Sequence, residues 1–213
     1  MTISHHPGDE TLHKFAVGLL TPGLRIVVAV HLEGCVRCRH WIGDLEILGG
    51  MLLAEMPPTP MAPDALARIL ARLDEKDHPV GLARQRSLEG LALPKALEAC
   101  AISPWRWFGP GMHWSRVRLP WAPDANVVLF RIGASRRMPV HRHTGLELTQ
   151  VLTGSFSDQF GEFKAGDLEE ADGQIEHQPV VDSVRTCICL AAVEGRIHPR
   201  GRIATLVQRV IGL

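Results

Sequence analysis

The spacing of apolar positions changes period once along the chain. Up to about residue 56 apolar side chains recur every three to four residues. In "ETLHKFAVGLL", Leu12, Phe15, Ala16, Leu19 and Leu20 fall at i, i+3, i+4, i+7 and i+8, which predicts an amphipathic helix with Asp9 as its N-cap. "TPGLRIVVAVHLEGC" predicts a second helix, with Thr21 as N-cap and Pro22 at the first helical position, where a missing N–H goes unneeded. A third, longer run, "VRCRHWIGDLEILGGMLLAEM", starts near Val36. The prolines of "PPTPMAPD" then make a stiff, extended linker. Beyond it Asp64 caps a short helix, "ALARILARLDE", and residues 81–100 read as broken helical pieces.

After Pro104 the period becomes two. "HWSRVRLPWA" alternates, "NVVLFRIG" is short and apolar, and "LELTQVLTGSFSDQ" reads as strand, Thr153–Gly154 turn, strand. "GEFKAGDLEEADG" reads as a turn-rich strand pair and "VRTCICLAAVEG" as another strand. Many short strands with glycine-containing turns indicate an antiparallel sandwich or small barrel. The expected fold class is therefore two-domain, α + β. A helical domain would occupy residues 1–85 including the Pro-rich linker 56–64, a connector 86–104, and an antiparallel β domain 105–213.

Charge and composition narrow the function. The 23 basic and 23 acidic residues cancel, which excludes strong non-specific nucleic-acid binding. No 18-residue apolar run spans a membrane, and "MTISHHPGDETLHK" does not read as a signal peptide. A cytoplasmic location is expected, with cysteines reduced. The cysteine count of five, an odd number, suits ligands and free thiols better than a disulfide framework. Eleven histidines make position the deciding question.

Two constellations stand out. In "AVHLEGCVRCRHW", His31 and Cys35 are one helical turn apart and Cys38 follows by three, at the junction of the second and third helices. Two thiolates and an imidazole suit Zn²⁺, which takes four tetrahedral N and S ligands in a structural site. His5 and His6, just before the first helix, can each fold back as the fourth. In "VHRHTGLELTQVLTG", His141 and His143 share one strand face, Glu147 follows by four, and His177 lies further on. Three imidazoles and a carboxylate turned into a small barrel make a cage for a second divalent metal, with Zn²⁺ the expected occupant. Cys187 and Cys189 share one face of a later strand and are candidates for oxidative chemistry. Cys100 and the cluster Trp105, Trp107, Trp114 and Trp121 read as packing, and His13 and His198 as surface residues.

H-x3-C-x2-C with an upstream histidine resembles the zinc-binding anti-sigma factors. With a β domain behind it, it resembles their ChrR type, in which the helical domain is followed by a cupin. H-x-H-x3-E-x6-G, from His141 to Gly154, resembles the first cupin motif. The second motif is degenerate: Ala165-Gly166-Asp167 stands where a Pro-x-Gly turn is expected. The resemblance covers essentially the whole chain, and it implies His6 as the fourth ligand beside His31, Cys35 and Cys38. It implies a non-enzymatic protein whose partner is an extracytoplasmic-function sigma factor. That partner would be held one-to-one away from core RNA polymerase, without direct nucleic-acid or membrane contact. The cupin half would sense an oxidative signal of the singlet-oxygen kind and trigger release. The alternative is a metallo-cupin oxygenase-type enzyme with a helical appendage for oligomerisation.

Overall fold

The structure, a computed structural model, describes residues 2–73, 87–88, 90–173, 175–181 and 184–199. The end expected for the fourth helix, at 74–75, the helical pieces expected over 81–86, and residues 200–213, expected in the β domain, lie outside the described residues.

Four helices come first: α1 (Asp9–Ala16), α2 (Pro22–Gly34), α3 (Val36–Glu55) and α4 (Ala65–Leu73). α1 is shorter than its apolar stripe. It stops at Ala16, and Gly18, at φ 76°, turns the chain so that Leu20 is buried while Leu19 stays exposed. Gly8, not Asp9, is its N-cap; Asp9 and Glu10 sit in the first turn, where the helix dipole favours negative charge. α2 starts as expected, with Thr21 at the cap and Pro22 behind it. The Thr21 hydroxyl does not cap the helix; it donates to Glu194 Oε1 at 2.8 Å.

The described residues of 87–100 depart from the helical expectation, and the strand texture starts before 105. Up to residue 102 they form a hairpin, β1 (Ser87–Leu88) with β2 (Leu91–Ala92), one 3-10 turn at Lys95–Leu97, and β3 (Ala101–Ile102). The turn glycine Gly90, at φ 87°, and Pro94 break the run where periodicity alone passes over them. The Glu33 carboxylate ties this stretch to α2 by accepting from the backbone N–H of Lys95 (3.0 Å) and Ala96 (2.6 Å).

The rest is β: β4 (Arg106–Gly109), β5 (Met112–Arg118), β6 (Val127–Ile132), β7 (His141–His143), β8 (Glu147–Thr153), β9 (Ser155–Asp158), β10 (Gly161–Lys164), β11 (Leu168–Ala171), β12 (Glu176–His177), β13 (Val180–Val181), β14 (Cys187–Val193) and β15 (Ile197–Pro199). A large antiparallel sheet runs β11-β8-β14-β6-β5-β3, with β4 also on β5. Two small sheets, β10-β9-β13 and β12-β7-β15, accompany it. The turn between β8 and β9 requires Gly154: it sits at φ 74°, and a Cβ there would come 2.5 Å from the Thr186 carbonyl oxygen.

Both faces of the large sheet are buried. Val128, Phe130, Val151, Cys189 and Ala191 point into the β domain, where Phe156 and Phe163 of the small sheet meet them. Val127, Leu129, Leu148, Leu168 and Leu190 point the other way and share one core with Leu24, Val27 and Val28 of α2. Burying each of these aliphatic side chains contributes about 1.5–3 kcal/mol, and this shared core holds α2 against the sheet. Of the tryptophans, Trp114 is buried and Trp105 packs on the core, whereas Trp107 and Trp121 are exposed.

Candidate functional site

The first constellation assembles at the α2–α3 junction. Cys35 is the residue between the helices, and its Sγ accepts from the Cys38 N–H at 3.4 Å, capping α3 with sulfur. The donor atoms of His6, His31, Cys35 and Cys38 all lie within 4.8 Å of one another. His6 Nδ1 is 3.4 Å from both sulfurs. A tetrahedral ion bonded at about 2.0 Å to nitrogen and 2.3 Å to sulfur holds such atoms about 3.6 Å apart, so the spacing fits. His5 does not join the group. Its ring packs on Phe163, and its Nδ1 lies 3.5 Å from Asp167 Oδ2.

Electrostatics fit a cation too. Burial, then Cys35 beside it, pushes the Cys38 thiol up to about 12, a cost that a divalent ion among the ligands reverses. Burial, aided in the case of His6 by Arg37, lowers the pKa of both His6 and His31, so both imidazoles stay neutral and ready to ligate. His31 Nε2 is buried without a hydrogen-bond partner among the described residues.

The second constellation lies inside the β domain. His141 of β7 faces His177 of β12 across a ladder pair, His143 follows on the same face, and Glu147 opens β8. All four are buried, and their donor atoms lie within 4.8 Å of one another. His177 Nε2 is 3.2 Å from His141 Nε2 and 3.4 Å from His143 Nε2, and Glu147 Oε2 is 2.5 Å from His143 Nε2. His141 donates Nδ1–H to the Pro139 carbonyl (2.8 Å), which leaves its Nε2 lone pair facing the centre. Buried nitrogen and carboxylate groups converging at these distances suit one shared cation. Burial opposes the charge on Glu147, yet its hydrogen bonds to His143 and His177 hold its carboxyl below the ordinary range.

Sequence reasoning missed the residues behind these ligands. His177 Nδ1 faces Glu169 Oε1 (3.0 Å) and Asp158 Oδ2 (3.2 Å), which orient the ring. Despite burial, Asp158, Glu147 and Glu169 raise the His177 pKa to about 12, and burial pushes Glu169 up to about 7. Gln150 and Asp167 stand behind the first site; the sequence signals were weak, for Asp167 its place in the altered cupin turn and for Gln150 its polarity on a strand face otherwise apolar. Cys187 and Cys189 face the β interior. The Cys187 contact first, then burial, raises the Cys189 thiol well above its usual value, which keeps it protonated and slow as a nucleophile.

Fold and donor sets together define a cupin-type β domain carrying a helical His/Cys segment on its outer sheet face. The family model for the ChrR cupin-like domain matches residues 95–195. The anti-sigma-E factor ChrR of Cereibacter sphaeroides is 37% identical over 213 residues, 98% of each chain. The crystal structure of Rhodobacter sphaeroides SigE in complex with the anti-sigma ChrR superposes with a TM-score of 0.76 at 36% identity. That match covers 91% of this chain and 100% of the other. This chain belongs to the ChrR family of anti-sigma factors. Among the described residues no helix is long and apolar enough to cross a membrane.

Proposed function

We propose that this protein binds an extracytoplasmic-function sigma factor one-to-one, keeps it from core RNA polymerase, and lets it go on an oxidative signal received by the cupin domain. The observation that carries this reading is the apolar surface of α3 and α4. Over its 20 residues α3 buries only Cys38 and Ile42, and α4 buries nothing. Ile47, Met51, Leu52, Leu66, Ile69 and Leu73 are each more than half exposed. On α1, by contrast, Leu12 is buried and Phe15 packs against the core, and beyond its end Leu20 is buried while Leu19 is exposed. An apolar surface of this size along α3 and α4 suits a partner's docking surface. The named partner of the relative in the matching complex is a sigma factor.

In this reading residues 1–85, with linker 56–64, form the inhibitory part, 86–104 the connector and 105–213 the sensing part. His6, His31, Cys35 and Cys38 hold a structural Zn²⁺ that fixes α3 to α2. His141, His143, Glu147 and His177 hold a second divalent ion, Zn²⁺ by preference. Four protein ligands on a tetrahedral ion leave no open position for substrate, which supports a regulator over an enzyme. Cys187 and Cys189 are a secondary, slower target for oxidation. The protein acts in the cytoplasm, where the transcription machinery is. Co-expression with a sigma factor of the same genome tests the reading: a stable one-to-one complex that blocks binding to core polymerase is expected. Failure to form one with any such sigma factor would overturn it.

A further inference from the structure

The first metal centre is not built by the helices alone. Gln150, on β8, is 3% exposed, and its Oε1 lies 3.0 Å from His31 Nδ1. The amide is held in one orientation because its Nε2 donates to the Val151 carbonyl at 3.1 Å. The oxygen therefore faces the ring, His31 must carry its proton on Nδ1, and the Nε2 lone pair is left for the ion. Asp167, 1% exposed at the head of β11, does the same for the segment before α1. Its Oδ1 accepts from the N–H of Ser4 (2.7 Å) and His5 (3.0 Å), and its Oδ2 from the N–H of Lys164 (2.8 Å). The His5 carbonyl in turn accepts from Leu168 N–H at 3.2 Å, so the residues leading into His6 are tied to the start of β11.

β8 and β11 pair with each other, and Gln150 stands opposite Leu168 in their ladder. The same two strands carry Glu147, a ligand of the second centre, and Glu169, which orients His177. Alternation puts these on the inner face while Gln150 and Leu168 face the helices. One strand pair thus supports the ligands of both centres from its two sides.

We infer that Gln150 and Asp167 are positioning residues for the His6/His31/Cys35/Cys38 metal, so that the cupin sheet sets how tightly the helical segment holds its ion. This rests on the metal reading of that site and not on the sigma partner. The test uses the full chain loaded with Co²⁺. Thiolate-to-cobalt charge transfer reports the first centre alone, because the second has only nitrogen and oxygen ligands. Gln150→Leu removes the acceptor; Gln150→Glu keeps it. Competition with a chelator should show the Leu variant binding about 10–100-fold more weakly, the cost typical of losing a partner behind a ligand. Its charge-transfer band should shift, and the Glu variant should return to wild-type affinity. Retention of the second metal shows that the fold is intact. If Gln150→Leu does not fold, Asp167→Asn decides by the same measurement, with at least a tenfold loss expected. Equal affinity and spectrum in wild type and variant, or a Glu variant as weak as the Leu variant, overturns the inference alone. A wild-type chain without any thiolate–metal band overturns it together with the metal reading.

Discussion

Cys38→Ala tests what holds α3. The helix runs for 20 residues and buries two side chains, Cys38 and Ile42. Ile42 contributes about 1.5–3 kcal/mol. Leu45 packs partly on the core, Trp41 meets His13 edge-on, and Arg39 reaches the carbonyls of Leu32 (2.6 Å) and Glu33 (2.9 Å) from an exposed position. Most helical stability in proteins comes from tertiary packing, of which α3 has little, and the metal proposed at its first turn would be the strongest tether. Structural zinc in small peptides is worth about 10–16 kcal/mol of folding free energy. Losing even about 3 kcal/mol of it moves the docked–undocked equilibrium of α3 more than a hundredfold, since 1.4 kcal/mol is tenfold. The apparent affinity for sigma falls with the docked fraction, and at least a tenfold loss is expected. Hydrogen exchange on the free chain is the direct assay. Amides of residues 36–55 should lose protection in Cys38→Ala while those of β14 keep theirs. A variant shown to have lost its metal, yet with α3 protected as in wild type, refutes the tether.

Three further outcomes follow from other parts of the molecule. Leu70→Asp, on a helix with no buried residue, should weaken sigma binding at least tenfold without changing metal content or the unfolding midpoint; calorimetric titration checks it. Glu170→Ala removes the carboxylate that accepts from Gly8 N–H and Thr11 Oγ1–H, both at 2.8 Å, at the start of α1. A loss of about 1–2 kcal/mol is expected, seen as a fall of about 2–8 °C in thermal midpoint. His141→Ala should lose the second metal, still hold sigma, and fail to release it under singlet-oxygen stress; normal release by the metal-free variant would end the sensing role of that centre.

What the sequence made legible and what it hid divide along one physical line. The two clusters were legible because metal chemistry fixes both residue type and spacing over a few positions: His31, Cys35 and Cys38 within about two helical turns, and His141 and His143 on one strand face. The longer strands β5, β6, β8 and β14 were legible by alternation or by a short apolar run; the short β12 and β13 were not. The stretch 87–102 was not, because its elements are two residues long and are set by Gly90, Pro94 and the distant Glu33 carboxylate rather than by any repeat. Nor was the union of helices and sheet. A strand buried on both faces, such as Val127–Ile132, does not say what covers its second side, and the answer, α2, lies about a hundred residues earlier. Gln150 shows the limit most clearly. In "LELTQVLTG" Glu147 could be assigned from its distance to His143, but Gln150, on the opposite face, has its meaning only through a ring 119 positions away. The local hint was a polar amide in a strand otherwise apolar on that face, flanked by Leu148 and Leu152. Such a group is tolerated in a core only with its hydrogen bonds made. It therefore demanded a buried polar partner from the helical half, and His31 is the histidine that stood there.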